Sequence, residues 1–364
     1  MKATLYRAAL RYPHLRLHTA SSGSVATLEE LYLLLEDQGV RGVGEVRINI
    51  AYLNGYRQQQ VLDDVRRCLR HIDLRQDAQR LLVELDPATT GSLAPTRMLL
   101  DMALHDLVAR QRQQSVAQLI GAAPDAPSLG YRTNQTLFWS TREQMLEQAA
   151  AYVARGFTEL KLRVGVATFD QDWARLDALR QRFGRQITLA VDVNGQWPTD
   201  LALARLRALQ PFELSYVEQP IADADAHAYP ALANASPIAL MLDESLGNEA
   251  DLQRLIDWGG KIHGHLKLVK MGGIGPTVRA ARRLNAAGVP FMLGQMNEGA
   301  AATAAALHVA CATRPAHAEL YGADGLGNDP VLGLDYHQGL VSSQNACGLG
   351  VSFDPAQAEF IQEF

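Results

Sequence analysis

Between Ile187 and Gly273 one pattern recurs: ITLAVDVNG (187–195), LSYVEQP (214–220), IALMLDES (238–245) and HLKLVKMGG (265–273). Each segment runs apolar and then reaches a charged residue: Asp192, Glu218, Asp243 and Lys267. Successive charges are 26, 25 and 24 positions apart. One strand, one helix and two short loops take about that length. Short apolar runs with regular helical stretches between them predict parallel strands joined by crossover helices.

The same alternation extends outward in both directions. LGYRTNQTLF (129–138) and ELKLRVG (159–165) precede the four segments, and PFMLGQMNEG (290–299) and HAELYGAD (317–324) follow them. Eight runs, each but the last followed by an Ala-, Leu- and Arg-rich helical segment, predict a (β/α)₈ barrel. A doubly wound open sheet needs a Gly-rich fingerprint after an early strand. GVGEVR (42–47) lacks that spacing, and no strong helix opens there.

The first part of the chain differs. Lys2–Leu10 and Leu28–Leu35 read as strands, with a turn at Asp37-Gln38-Gly39. Gln58–Leu85 and Ala94–Ala109 carry helical spacing. The organisation expected is an α+β capping domain over residues 1–125, a barrel over 126–330 and a segment over 331–364 that returns to the cap. The 364 residues, with 48% hydrophobic content, suit that size. A net charge of -5 argues against nucleic acid or an anionic membrane as partner. Cys68, Cys311 and Cys347 form neither a disulfide framework nor a zinc knuckle. With no apolar run of about 20 residues and no signal-peptide core, a soluble cytoplasmic protein is expected.

The chemistry is legible at the strand ends. Barrel active sites lie at the C-terminal face of the strands. There Asp192, Glu218 and Asp243 converge, and three anions brought together need a cation between them. Oxygen ligands suit Mg²⁺ or Mn²⁺ rather than zinc, and no histidine stands at these strand ends in a ligand-like position. Residues two apart on a strand point the same way. Lys161 and Arg163 therefore share one orientation on the preceding strand, and Lys267 faces them from the following one. A divalent cation and flanking cations stabilise an enolate as a proton leaves the carbon beside a carboxylate. A lysine near a metal and another cation is a fitting base for that proton.

KLR, VDVNGQW, VEQP, LDES and LKLVKMGG, in this order and at barrel spacing, resemble the enolase superfamily. Within it they resemble the muconate-lactonizing and amino-acid-racemase branch. GVGEV near Glu45, the helix LLDMALHDLVAR and the tail CGLGVSFDP extend the resemblance over nearly the whole chain. The resemblance implies a homo-oligomer acting on a small carboxylate. Asp192, Glu218 and Asp243 would be metal ligands, Lys267 an acid/base lysine, and Lys161 a carboxylate-binding residue. The branch pattern has Lys-x-Lys on the second strand, where this chain has Lys161-Leu162-Arg163. Arginine stays protonated and serves as a clamp rather than a base. On branch resemblance, racemisation or epimerisation of an amino-acid derivative or dipeptide ranks first. Cycloisomerisation, an acid-sugar dehydratase and a non-catalytic binding barrel remain as alternatives.

Further residues are placed by position. Asn194 is expected to support a ligand carboxylate. Glu244, next to Asp243, points away in an ideal strand; a twist would bring it into the site, or it supports the ligand carboxylates from behind as Asn194 does. Gln295, Asn297, Glu298, Glu319 and Tyr321 end the last two strands and are candidate substrate contacts; Glu298 is equally a candidate partner for Lys267. Lys270 reads as an outward ion-pair residue. HTASSGSV (18–25) is a loop able to close over the barrel mouth, and Arg47 and Tyr56 are candidate contacts from the cap. Trp139 and Trp197 read as packing residues.

Overall fold

The structure is a computed structural model that describes residues 1–122, 129–343 and 347–364. The boundary expected between residues 125 and 126 lies outside the described residues. Five strands open the chain: β1 (Lys2–Leu10), β2 (Leu17–Thr19), β3 (Gly23–Val25), β4 (Leu28–Asp37) and β5 (Val40–Arg47). β4 and β5 form a hairpin that turns on Gln38 and Gly39, both at positive φ. That turn matches the right-handed twist of paired strands. β1 lies antiparallel to β4, with Lys2 opposite Glu36 and Leu10 opposite Leu28.

Helices α1 (Gln58–His71) and α2 (Ala94–Gln111) pack behind this sheet. The helical stretch expected to run to Leu85 breaks after His71. It resumes only at Ala78–Val83, where Asp77 accepts hydrogen bonds from Gln79 N and Arg80 N. A local side-chain cap there competes with continued helix. α2 is buried along nearly its whole length. It lies so close to β5 that a Cβ on Gly44 would meet Leu99 O at 2.0 Å.

The barrel follows as β6 (Gln135–Leu137), α3 (Arg142–Ala154), β7 (Glu159–Arg163), α4 (Phe169–Phe183), β8 (Thr188–Asp192), α5 (Thr199–Ala208) and β9 (Val217–Glu218). It continues through α6 (Tyr229–Ala235), β10 (Leu240–Leu242), α7 (Glu249–Trp258), β11 (Ile262–Lys267), α8 (Ile274–Ala286), β12 (Phe291–Gly294), α9 (Ala300–Thr313) and β13 (His317–Glu319). All eight expected runs supply a strand, and the eight strands pair in sequence order as one parallel sheet. Between β13 and β6 the closure is made outside the ladder. Asn134 N donates to Ala318 O at 3.0 Å, and Leu320 N donates to Thr133 Oγ1 at 2.8 Å.

Register sets the height of each charged residue. Arg163 lies opposite Asp192, and Asp192 opposite Glu218. Lys267 lies opposite Gly294, and Gly294 opposite Glu319. Cap and barrel are stitched together at helix N-termini, where free backbone N–H groups donate to carboxylates. Glu45 of β5 takes Gly299 N and Ala302 N, each at 2.8 Å, and Asp101 of α2 takes Gly275 N at 3.3 Å. The final strand, β14 (Glu359–Glu363), pairs antiparallel with β1, placing Glu363 opposite Thr4.

Candidate active site

The site forms where β7 to β12 end beneath the cap. Asp192 and Glu218 close β8 and β9, and both are fully buried. Asp243 stands just past β10, 2% exposed. Its backbone N–H donates to Gln219 Oε1 at 3.0 Å, while Gln219 Nε2 donates to Ser245 Oγ at 2.7 Å. Gln219 thus ties the end of β9 to the end of β10 from a positive φ of 38°. Nothing in the VEQP segment alone marked Gln219 for that task.

Cations are laid directly on these acids. Lys267 Nζ lies 2.6 Å from Asp243 Oδ2, and Lys161 Nζ lies 2.7 Å from Glu218 Oε2. Lys161 also pairs with Glu319, and Arg163 with Asp192. Arg163 Nη1 reaches Asn194 Oδ1 at 3.3 Å, and Asn194 N donates to Asp192 Oδ1 at 2.9 Å. Burial pulls the Lys161 ammonium down. The carboxylates of Glu218 and Glu319 outweigh it, so its pKa lies well above the ordinary lysine value. Lys267 is likewise raised: burial opposes the charge and Asp243 more than restores it. Burial lifts Asp192 to about 7, against the pull of Arg163.

The structure departs from the sequence reading at His265 and Lys270, and it brings Glu244 to the site. His265, in the middle of β11 on the same face as Lys267, enters the site. Its Nδ1 lies 2.8 Å from Glu218 Oε1 and 3.7 Å from Asp243 Oδ1. Attention to strand ends alone missed it, although the i, i+2 spacing in HGHLK carried the signal. Burial holds its pKa well below the usual histidine value, so it is neutral and its Nδ1–H serves Glu218. Gly294 leaves it room: a Cβ there would lie 2.1 Å from His265 Nε2. Lys270 does not point outward. It is buried, with Nζ 2.7 Å from Asp243 Oδ1 and 2.8 Å from His265 O. Glu244 turns to the site because β10 ends at Leu242 and strand alternation stops there. It accepts from Asn194 Nδ2 at 3.1 Å and lines the cleft, and burial with the Asp243 charge lifts it to about 8.

The other candidates divide. Gln295, Asn297 and Tyr321 line the cleft together with Arg163, Lys267 and Asn194. Gln295 Nε2 donates to Thr303 Oγ1 at 2.8 Å, and Asn297 Nδ2 donates to Tyr12 Oη at 2.9 Å. Glu319 faces Lys161 instead of the cleft, and that ammonium helps hold it down at about 2 against burial. Glu298 neither lines the cleft nor pairs with Lys267. It is buried beside Arg47, with Oε2 accepting from Met296 N at 3.2 Å. From the cap, the β2–β3 hairpin brings Thr19, Ser21, Ser22 and Val25 over the mouth, and Arg47 joins them. Trp197 packs on Phe169, and Trp139 against His18.

The donor set fits a hard divalent cation. Asp192, Glu218 and Asp243 are buried away from water with half-buried Glu244 beside them, and Glu244 Oε2 is buried without a partner. Ligand atoms of Glu218, Asp243 and His265 all lie within 4.8 Å of one another. Oxygen donors at this density suit Mg²⁺ or Mn²⁺. His265 already donates its Nδ1–H to Glu218, a role that leaves the oxygens to the ion.

Comparison with known proteins agrees with this geometry. The family model for "Enolase C-terminal domain-like" matches residues 144–357, and that for "Mandelate racemase / muconate lactonizing enzyme, N-terminal domain" matches residues 4–121. The N-succinyl-L-Arg/Lys racemase of Bacillus cereus is 27% identical over 85% of this chain and 84% of its own length. A chloromuconate cycloisomerase of Pseudomonas putida is 30% identical over 74% of this chain and 73% of its own. A solved dipeptide epimerase of Methylococcus capsulatus, complexed with Mg and the dipeptide L-Arg-D-Lys, superposes with a TM-score of 0.84. It is 26% identical, over 96% of this chain and 99% of that one. These relatives are isomerases, and so is this chain. A barrel whose acids and lysines stand at consecutive strand ends, under a cap matched along its own length, places the chain in the mandelate racemase/muconate lactonizing enzyme family of the enolase superfamily.

Proposed function

We propose that the protein removes the proton alpha to the carboxylate of an amino-acid derivative or dipeptide and returns it, as a racemase or epimerase, with Lys267 as base. The observation that carries this is the placement of Lys267 Nζ on Asp243 at one wall of the cleft, with Arg163 lining the same cleft. Asp192, Glu218 and Asp243 would hold the cation, Mg²⁺ first and Mn²⁺ second. Bound there, such an ion supplies Lewis-acid stabilisation of carboxylate oxygens.

The remaining steps belong to the chain. Lys161, held cationic by Glu218 and Glu319, binds the substrate carboxylate and stabilises the enolate charge as it forms. Lys267 accepts the alpha proton at Nζ as the neutral amine; a cation held on Asp243 would take up the carboxylate charge that otherwise keeps the ammonium protonated. His265 and Gln219 fix Glu218 and Asp243 in place. Gln295, Asn297 and Tyr321 shape the wall against the substrate, and the hairpin at 18–25 excludes water. In this reading residues 1–125 act as cap and residues 126–330 as catalytic barrel, with the segment from 331 returning to the cap. The named relatives disfavour the dehydratase and the non-catalytic readings.

Arg163 favours a second reading. A two-base racemase needs a proton acceptor on each face of the substrate, and the Arg163 guanidinium, paired with Asp192, accepts none. Cycloisomerisation needs Lys267 alone, and a chloromuconate cycloisomerase is among the relatives. Mass spectrometry in D₂O with Mg²⁺, on pools of N-acyl amino acids, dipeptides and muconates, tests both. A gain of one mass unit with inversion supports the first reading. Lactone formation moves the assignment to the second. Lys267→Ala should abolish either reaction and leave Mg²⁺ binding intact; turnover in that variant would remove Lys267 as the base.

A further inference from the structure

Lys267 closes β11, and Ile274 opens α8. The stretch between them is pinned at two points. Lys270, in the helical turn Leu268–Met271, donates from Nζ to Asp243 O at 2.7 Å and to His265 O at 2.8 Å. Gly272 and Gly273 follow, both at positive φ, and both N–H groups turn back to Leu268 O. Two consecutive glycines leave a chain many paths unless something outside the stretch selects one. The second pin, just beyond them, comes from the cap.

Arg97, Asp101 and His105 recur at every fourth position of α2 and so share one face of it. That face meets the stretch after Lys267. Ile274 N donates to Asp101 Oδ1, and Gly275 N lies 3.3 Å from each oxygen of the same carboxylate. His105 Nδ1, 3.2 Å from Asp101 Oδ1, steadies that carboxylate from within the cap. A Cβ on Gly273 would lie 2.5 Å from Asp101 Oδ1, and one on Gly272 would lie 3.1 Å from Arg97 Nε. The backbone is thus pressed onto these side chains, and Asp101 is buried. Capping α8 asks only for an acceptor at its first N–H groups. It does not ask that the acceptor come from the other domain, or that two glycines be packed beneath it.

We propose that Asp101 is a positioning residue for Lys267: from the cap it fixes the far end of the stretch leading out of β11, and so holds the Lys267 amine in line with the substrate's alpha carbon. Seating of the cap and alignment of the base are then one event, because a cap that lifts takes this hold with it. The inference rests on Lys267 being the base, as proposed above.

The test compares Asp101→Ala and Asp101→Asn with Asp106→Asn, all on the full chain with Mg²⁺. Asp106 is a control on the same helix, buried and accepting Val43 N at 2.9 Å and Leu349 N at 2.7 Å. One readout needs no substrate: reductive methylation with formaldehyde and cyanoborohydride, followed residue by residue by mass spectrometry. Lys161, buried on β7, is the internal reference, because general loosening exposes both lysines alike. In Asp101→Ala the rate at Lys267 relative to Lys161 should rise roughly tenfold or more, the value of one hydrogen bond to a charged group. Asp101→Asn keeps a carbonyl oxygen for Ile274 N and should rise less; Asp106→Asn should not rise. On the most active compound of the pools described above, Asp101→Ala should lower kcat by roughly 10- to 100-fold, as a misplaced reacting group does, with KM little changed. An unchanged methylation ratio, an equal rise in Asp106→Asn, or a fall in kcat shared by Asp106→Asn overturns the proposal. If no compound is turned over, the chemistry proposed for Lys267 fails, while the methylation ratio still decides whether Asp101 holds it. If Asp101→Ala does not fold, the ratio in Asp101→Asn decides.

Discussion

Lys267 and Arg163 both line the cleft under the cap, yet their chemistry is unequal. A lysine has a proton it can lose and regain, whereas a guanidinium remains a fixed charge. Side chains beyond this pair follow the same electrostatics. Glu298 shows it in a form that can be measured. Burial lifts it to about 7, above the value of about 4.3 in an unfolded chain. The folded protein therefore binds this proton more tightly than the unfolded chain does. Its contribution favours the fold below about pH 4, fades as pH rises, and has turned into a full penalty above pH 7. Glu298→Gln removes the titration. The variant should unfold at a higher temperature than the parent at pH 8, by on the order of 3 kcal/mol, and the two should converge near pH 4. Differential scanning calorimetry across that range checks it. A pH-independent difference would mean that Glu298 is ionised throughout.

At the scale of elements, α2 packs backbone-close against β5. Any side chain at Gly44 must displace the Leu99 carbonyl, only 2.0 Å from where its Cβ would lie. Gly44→Ala should cost on the order of 3 kcal/mol, read as a lowered urea midpoint with the barrel residues that line the cleft untouched. An unchanged midpoint would show that α2 can slide. The same scale explains what the sequence disclosed. Barrel strands were legible because an apolar run closing on a charge repeats at a near-constant interval, and Asp192, Glu218, Asp243 and Lys267 came with them. Lys270 was misjudged because it stands just beyond the end of a strand, where alternation no longer holds. His265 was missed because it lies inside a strand, facing the barrel interior, and its neighbours there come from β9 and the end of β10. The break after His71 was hidden because Asp77 offers the backbone a local alternative that periodicity does not register.

For the molecule as a whole, the cap is held from two directions: by carboxylates of β5 and α2 on barrel helices, and by β14 on β1. Phe364 N donates to Ala3 O at 2.9 Å, and Lys2 pairs with Glu363 at 2.8 Å. Removing residues 358–364 frees one edge of the cap sheet but leaves its core under α1 and α2. The net loss of stability should be small, because each lost hydrogen bond is worth about 1 kcal/mol and ordering each residue costs a similar amount. Backbone amides of β1 should nevertheless exchange faster in deuterium, and KM should rise more than kcat falls, since β1 leads into the hairpin over the cleft. Unaltered protection of β1 would remove β14 as a brace. The pairing of Thr4 with Glu363 also carries a schedule. A ribosome adds roughly 5–20 residues each second, so β1 emerges tens of seconds before the strand that covers its outer edge. Through that interval the nascent chain displays an open β edge, the kind of surface that invites a chaperone or a neighbouring chain.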